Sequence, residues 1–196
     1  MSELRNYEDY TKEIIDDQIY YMAPGISAHA WATTELGDKF RDYFKLKDRR
    51  CKVFVENLEV YFDAKSDKNF VVPDISIICD DTKFGRRGYK GVPELIVEVI
   101  SPSTSSKDKG AKFRAYEKAG VKEYWIVSPK EKSIDQYALE DGKYNYVNTV
   151  ALMDEIEFDK LTEEQRINYS SIIKSIIFND LEIDLNEIFL KINTID

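Results

Sequence analysis

The sequence predicts a mixed α/β protein, one sheet flanked by helices. Two apolar runs, ISIIC at 75–79 and LIVEVI at 95–100, have the β-branched, nearly continuous character of buried strands. Between 28 and 45, His29, Ala32, Leu36, Phe40 and Phe44 recur at the three-to-four spacing of an amphipathic helix. After LIVEVI, a helical stretch leads to another apolar strand and then a hairpin. That succession implies a mixed sheet.

The elements follow in order. Residues 7–22 read as a capped turn and a strand-like QIYYM, stopped by Pro24-Gly25. Ser27 suits the N-cap of the helix over 28–45, and Lys47-Asp48-Arg49-Arg50 is a polar connection. CKVFVENLEVYFD at 51–63 alternates as a strand, with Glu56-Asn57 marking a turn or irregularity. FVVPDISIIC at 70–79 follows, with Pro73 near its entry, where a missing donor is tolerated. FGRRGYKGVP is a Gly-rich basic loop before ELIVEVI. The Ser/Thr cluster at 101–106 offers caps for a helix carrying Phe113, Tyr116 and Ala119, and Gly120 suits its stop. Glu123–Val127 is the next strand, and Asp141-Gly142 turns a hairpin. The last 45 residues are acidic and Ile-rich, with a helix expected near 162–175 and apolar segments near 172–178 that fit either an interface or the core.

Length and composition exclude several classes. At 196 residues and 43% apolar, the chain is one domain long enough for a sizeable core. With 13 Tyr and 10 Phe it is not disordered. No apolar stretch approaches the roughly 20 residues of a membrane span, and the charged N-terminus is unlike a signal peptide. These features predict a cytoplasmic protein with no membrane partner. Cys51 and Cys79 form no C-x-x-C pair and read as thiols rather than a disulfide framework. With His29 the one histidine, a His-rich zinc site or a Ser–His–Asp triad is improbable. Chemistry must rest on carboxylates and lysines, with or without a hard metal.

The net charge of −9 argues against nucleic acid, but it is unevenly spread. From Lys83 to Lys122 ten Lys/Arg face four Asp/Glu, whereas from Ala151 onward four face eleven. A basic face suited to phosphates and an ordinary charged surface both fit this pattern.

The chemistry-bearing feature is a pair of acids on neighbouring apolar strands. Asp74 sits in VVPDISII and Glu98 inside LIVEVI. A buried acid is costly unless paired or bound to metal, and two facing carboxylates make a hard-oxygen site for Mg²⁺ or Mn²⁺. Taken singly, each acid also fits a structural ion pair or an exposed edge. Lys107, Asp108, Lys109 and Lys112 follow Glu98, with Asp108 and Lys112 on one helical face. They fit either an ordinary helical ion pair or a lysine aimed at the carboxylates.

The run VVPDISIIC, then GVPELIVEVISPSTSSKDKGAKFRAYEKAGVKEYWIVSP, resembles the signature of the Uma-two family of restriction-endonuclease-like proteins. That family lies within the PD-(D/E)XK nuclease superfamily. EIIDDQIYYMAPGISAHAWATTELGDKF and the terminal LEIDLNEIF are similar to its usual ends, so the resemblance covers nearly the whole chain. It implies a restriction-endonuclease-like mixed β-sheet core flanked by helices, a divalent metal and phosphodiester hydrolysis. The domain would be single, over 1–196, with a core at about 50–150 and an acidic C-terminal extension at 151–196.

By position, the family's Pro-Asp falls on Pro73-Asp74 and its second acid on Glu98. The superfamily lysine sits two residues later, where this chain has Ile100. In the Uma-two pattern a helix-borne lysine substitutes, which matches Lys112, and Asp108 matches the acid before it. His29 and Glu35 lie on the helix from which related folds recruit a further ligand or base. A structural histidine fits His29 as well.

The expected mechanism holds Mg²⁺, or Mn²⁺ in its place, on Asp74, Glu98 and the Val99 carbonyl. Lys112 neutralises the developing charge, and Lys83, Arg86, Arg87 and Lys90 meet flanking phosphates of DNA. That loop also reads as merely solvated. Cutting both strands makes a homodimer plausible. The competing reading is a catalytically inactive nuclease-fold module that binds nucleic acid or a protein partner.

Overall fold

The computed structural model describes residues 12–21, 27–47, 49–101 and 108–190, with Asp108 described in backbone only. The expectations for residues 7–11, Pro24-Gly25, the Ser/Thr caps at 102–106 and Lys107 lie outside the described residues. β1 (Lys12–Ile15) and β2 (Gln18–Tyr21) form an antiparallel hairpin. Its turn residues Asp16 and Asp17 both have positive φ (50° and 61°), as a tight two-residue hairpin requires.

α1 (Ser27–Leu46) buries Ala32, Leu36, Phe40 and Phe44, the predicted stripe. Gly37 lets it lie close on the sheet, because a Cβ there would stand 2.5 Å from a Val55 methyl.

The sheet has six strands in spatial order: β3 (Lys52–Val55), β4 (Ile75–Ile78), β5 (Leu95–Val99), β6 (Glu123–Ser128), β7 (Ser133–Glu140) and β8 (Lys143–Ala151). Only β5 and β6 run parallel, and the crossover between them carries α2 (Phe113–Ala119). The other pairs are antiparallel. This is the mixed sheet that the sequence predicts. Gly120 ends α2 at φ 91°, and Asp141-Gly142 turns the β7–β8 hairpin with both φ positive.

One face of the sheet packs against α1 through Ile75, Ile77, Val97 and Trp125. The other packs against α2 through Ile96, Tyr124, Ile126 and Tyr116. Burying both faces explains why β4 and β5 are apolar without alternation.

The structure differs from the sequence reading in three places. Leu58–Phe62 is not a continuation of β3: Glu56 and Asn57 take positive φ, and Val60 makes only isolated bridges to Val71 and Tyr89. The helix expected over 162–175 splits, because the β-branched pair Ile172-Ile173 favours extended backbone. It becomes α4 (Glu163–Asn168), after a short α3 (Glu155–Asp159), and is followed by β9 (Ile172–Lys174). β9 pairs with β10 (Glu182–Asp184), which leads into α5 (Leu185–Phe189).

The acidic C-terminal segment also supplies core. Ile173, Phe178, Leu181, Ile183, Ile188 and Phe189 join the α1 side of the sheet. The buried Glu123 carboxylate clasps it, accepting from Ser175 Oγ at 2.7 Å and from the Ile176 and Ile177 amides at 3.1 and 3.2 Å. Finally, Cys51 and Cys79 form a disulfide rather than two thiols. The Lys52–Ile78 register places them opposite one another across β3 and β4, with Cα atoms 4.0 Å apart. Among the described residues, no helix is long and apolar enough to cross a membrane.

Candidate active site

Asp74 is the last residue before β4. Continuing the register Ile75–Val97 by one step sets it opposite Glu98, so the two acids occupy paired positions. Asp74 is 5% exposed. Its Oδ2 accepts the Val99 N–H at 2.7 Å, and its Oδ1 lies 3.4 Å from His29 Nε2. His29, in the first turn of α1, is also 3.7 Å from Glu56 Oε1. Ligand atoms of His29, Glu56 and Asp74 all lie within 4.8 Å of one another.

Burial alone would raise the Asp74 carboxyl. The His29 hydrogen bond and charge, the Lys112 charge and the Val99 amide outweigh it and hold the group below its usual range. Burial likewise works against the His29 imidazolium. The hydrogen bond and charge of Asp74, the charge of Glu56 and the Val99 carbonyl reverse that effect, so its pKa is raised.

A second cluster adjoins the first. Glu98, 1% exposed, accepts from Lys112 Nζ at 2.8 Å and from the Tyr116 hydroxyl at 2.5 Å, both on Oε1. The Lys112 ammonium is equally 2.8 Å from Glu13 Oε1. Lys112 ends a π-helical turn, Asp108–Lys112, that opens α2. Lys112 and Tyr116 are four residues apart, so both reach the one carboxylate from a single helical face. Burial and the Glu98 charge keep the Tyr116 phenol well above its ordinary pKa, so it donates to the carboxylate.

Of the residues singled out in the sequence, Asp74 and His29 thus meet directly, Glu98 and Lys112 meet directly, and the Lys112 charge acts on Asp74. The Val99 carbonyl faces the imidazole. The Asp108 side chain lies outside what is described, and Lys109 pairs with Asp135 at 3.7 Å. The acid that joins His29 is Glu56, not Glu35.

The basic loop does not enter this constellation. It leaves β4 and enters β5 at the ends of the strands opposite Asp74 and Val99. Lys83 pairs with Asp80 at 3.2 Å, while Lys90 and Arg87 share Asp67 at 2.6 and 4.0 Å. Arg86 is exposed.

Sequence reasoning missed Glu13, Glu56 and the role of Tyr116. Glu13 had no signal that set it apart from the neighbouring acids Glu8, Asp9, Asp16 and Asp17. Glu56 had none beyond the irregularity it marks.

Among the described residues, three buried carboxylates (Glu13, Asp74 and Glu98) surround one lysine and one imidazole. Carboxylates, an imidazole and a backbone carbonyl with an excess of negative charge suit a divalent cation.

The mixed sheet flanked by helices is a nuclease-like fold, as a solved structure of the same architecture shows. A crystal structure titled as a putative nuclease belonging to DUF820, from Anabaena variabilis, shares the fold with a TM-score of 0.68. It is 16% identical, over 93% of this chain and 91% of that one.

The sequence profile of the Uma2 family, described as "Putative restriction endonuclease", matches residues 1–169, and the chain belongs to that family. Two Synechocystis proteins, both named uncharacterized, are similar. slr1290 is 31% identical over 69% of this chain and 70% of its own length. sll1609 is 28% identical over 74% of this chain and 82% of its own length.

Proposed function

We propose that the chain is a metal-dependent DNA endonuclease that hydrolyses phosphodiester bonds. One observation carries the reading: a net-negative group in which the buried Asp74 stays ionised beside the half-buried His29 and the exposed Glu56, with the Lys112 charge acting on it. Mg²⁺, with Mn²⁺ as substitute, would be held by Asp74, Glu98 and the Val99 carbonyl, with His29 and Glu56 completing the set. Bound there, the ion would acidify a water and offset charge on the scissile phosphate.

The chain's own residues do the rest. Asp74 is fixed by the Val99 amide, so its free direction is toward His29 and Glu56. Tyr116 holds the Glu98 carboxylate in place by donating to it. Lys112 presents an ammonium to the charge that builds on the phosphate. Asp108 would support that lysine from the same turn. Lys83, Arg86, Arg87 and Lys90 would contact flanking phosphates once DNA competes with Asp67 and Asp80 for them. Because a duplex has two strands, the working form would be a homodimer, and the whole chain would act as a single nuclease-like domain.

The second reading, a non-cutting nuclease-fold module for nucleic acid or protein, draws support from the double pairing of Lys112. Mn²⁺ calorimetry on the wild type and Asp74→Asn, without nucleic acid, separates the two. Binding that disappears in the variant supports the nuclease. Undiminished binding in Asp74→Asn, or none in either protein, overturns the metal site and leaves the binding module.

A further inference from the structure

The β1–β2 hairpin lies outside the sheet, yet it delivers a fully buried acid to the site. Glu13 is 0% exposed, and its Oε1 lies 2.8 Å from the Lys112 ammonium. The same oxygen accepts the Val72 N–H at 2.8 Å. The hairpin is in turn fastened by reciprocal backbone bonds between Ile14 and Phe70, both 2.9 Å. Phe70 and Val72 lead directly into Pro73-Asp74. Glu13 therefore ties Lys112 to the segment that carries Asp74, while Glu98 ties it to β5.

We infer that Glu13 is the positioning residue for Lys112, which makes the β1–β2 hairpin part of the catalytic apparatus rather than a cover over the sheet. The inference rests on the nuclease reading for its consequence, not for its geometry. An ammonium with one carboxylate partner can swing about that partner. With two, on different elements and each at 2.8 Å, its place is fixed.

The two partners have different duties. Glu98 is a candidate cation ligand, so its bond to Lys112 competes with metal. Glu13 is anchored by a backbone amide and keeps the lysine in place when Glu98 turns to the ion.

The experiment uses the full chain with ¹⁵N-labelled lysine. A buried ammonium bonded to two carboxylates gives a slowly exchanging NH₃⁺ signal, assigned by its loss in Lys112→Arg. Glu13→Gln keeps the size and the carbonyl acceptor for Val72 but removes the charge. The expected result is loss of the Lys112 signal with backbone dispersion intact, Mn²⁺ affinity within about threefold of wild type, and cleavage of supercoiled plasmid reduced in kcat by roughly tenfold or more at little-changed KM.

A Lys112 signal that survives in Glu13→Gln overturns the proposal. So does a collapse of Mn²⁺ affinity, which would make Glu13 a ligand. If the variant does not fold, the wild type decides. On titration with Mg²⁺ the Lys112 signal persists if Glu13 holds it, and disappears if Glu98 alone does. A wild type that cleaves no DNA would count against the nuclease reading, while the ammonium measurements would still decide the role of Glu13.

Discussion

The Lys112 ammonium lies 2.8 Å from Glu98 Oε1 although fourteen residues separate them in the chain. The position two residues after Glu98 is Ile100, which packs partly buried against the aromatic face of the sheet. The cation thus arrives from the turn that opens the following helix, and that turn is π-helical. Wide turns of this kind recur at functional sites because they re-aim one side chain without ending the helix.

Removing that cation should cost both stability and chemistry. Lys112→Met leaves Glu13 and Glu98 buried without their shared partner, a loss of about 3–5 kcal/mol in urea unfolding. Adding Glu13→Gln to Lys112→Met should restore part of it, because one of the two stranded charges is gone. Lys112→Ala should spare Mn²⁺ binding and abolish cleavage. Cleavage retained by that variant would move the role to another lysine.

The acids around His29 predict a ligand ranking. Asp74→Asn should remove Mn²⁺ binding, and His29→Ala and Glu56→Gln should each weaken it roughly tenfold or more. Glu35→Gln should leave it unchanged. Calorimetry on the four variants checks the order. Wild-type affinity in both His29→Ala and Glu56→Gln would confine the ion to Asp74, Glu98 and the Val99 carbonyl.

Glu123 holds the C-terminal segment to the sheet. Besides its bonds to residues 175–177, its carboxylate accepts from Trp125 Nε1 at 2.6 Å and from Gln136 Nε2 at 2.7 Å. Glu123→Ala would leave these buried donors unsatisfied and should destabilise by about 3–5 kcal/mol. For a chain of this length that corresponds to a fall in Tm of roughly 10 °C. A change under 2 °C would mean that the segment is held by its apolar contacts alone.

A pH dependence follows from the contact of Tyr43 with Asp180. The Tyr43 hydroxyl, with Lys47 and Arg49, holds the exposed Asp180 carboxyl down at about 2, below its unfolded value. Its stabilisation is therefore present above the ordinary aspartate range near pH 4 and is lost as pH falls through about 2. Burial and the same carboxylate push Tyr43 up to about 12, so its share is present below about pH 10 and lost as pH rises through about 12. The Tm gap between wild type and Asp180→Asn should be widest near neutrality and narrow toward pH 2. A constant gap would show that the contact contributes nothing.

The disulfide gives a direct chemical readout. Thiol titration of the denatured chain should find no free thiol before reductant and two after it, since Cys51 and Cys79 are joined. Two free thiols at the outset would mean that the pair is reduced in the isolated protein.

Much of this molecule is legible in its sequence, and the reason is local. The stripe of α1, the unbroken apolar runs of β4 and β5, the Gly120 stop and the Asp141-Gly142 turn each encode an element within a few residues. Strand pairing across β4 and β5 then brings Asp74 opposite Glu98, so the two acids could be named from the apolar strands they interrupt. What the tertiary structure decided is who meets those acids. Neither Glu13 nor Glu56 interrupts a buried apolar run, and only the docking of the hairpin and the kink at Glu56-Asn57 bring them to the site. The Ile-rich stretch near 172–178 fits an interface or the core as a sequence, and the tertiary structure decides for the core, because Ile173, Phe178 and Phe189 are buried by contacts with distant parts of the chain. Local propensity is written along the chain, while the surroundings of a buried charge are set by residues far from it in sequence.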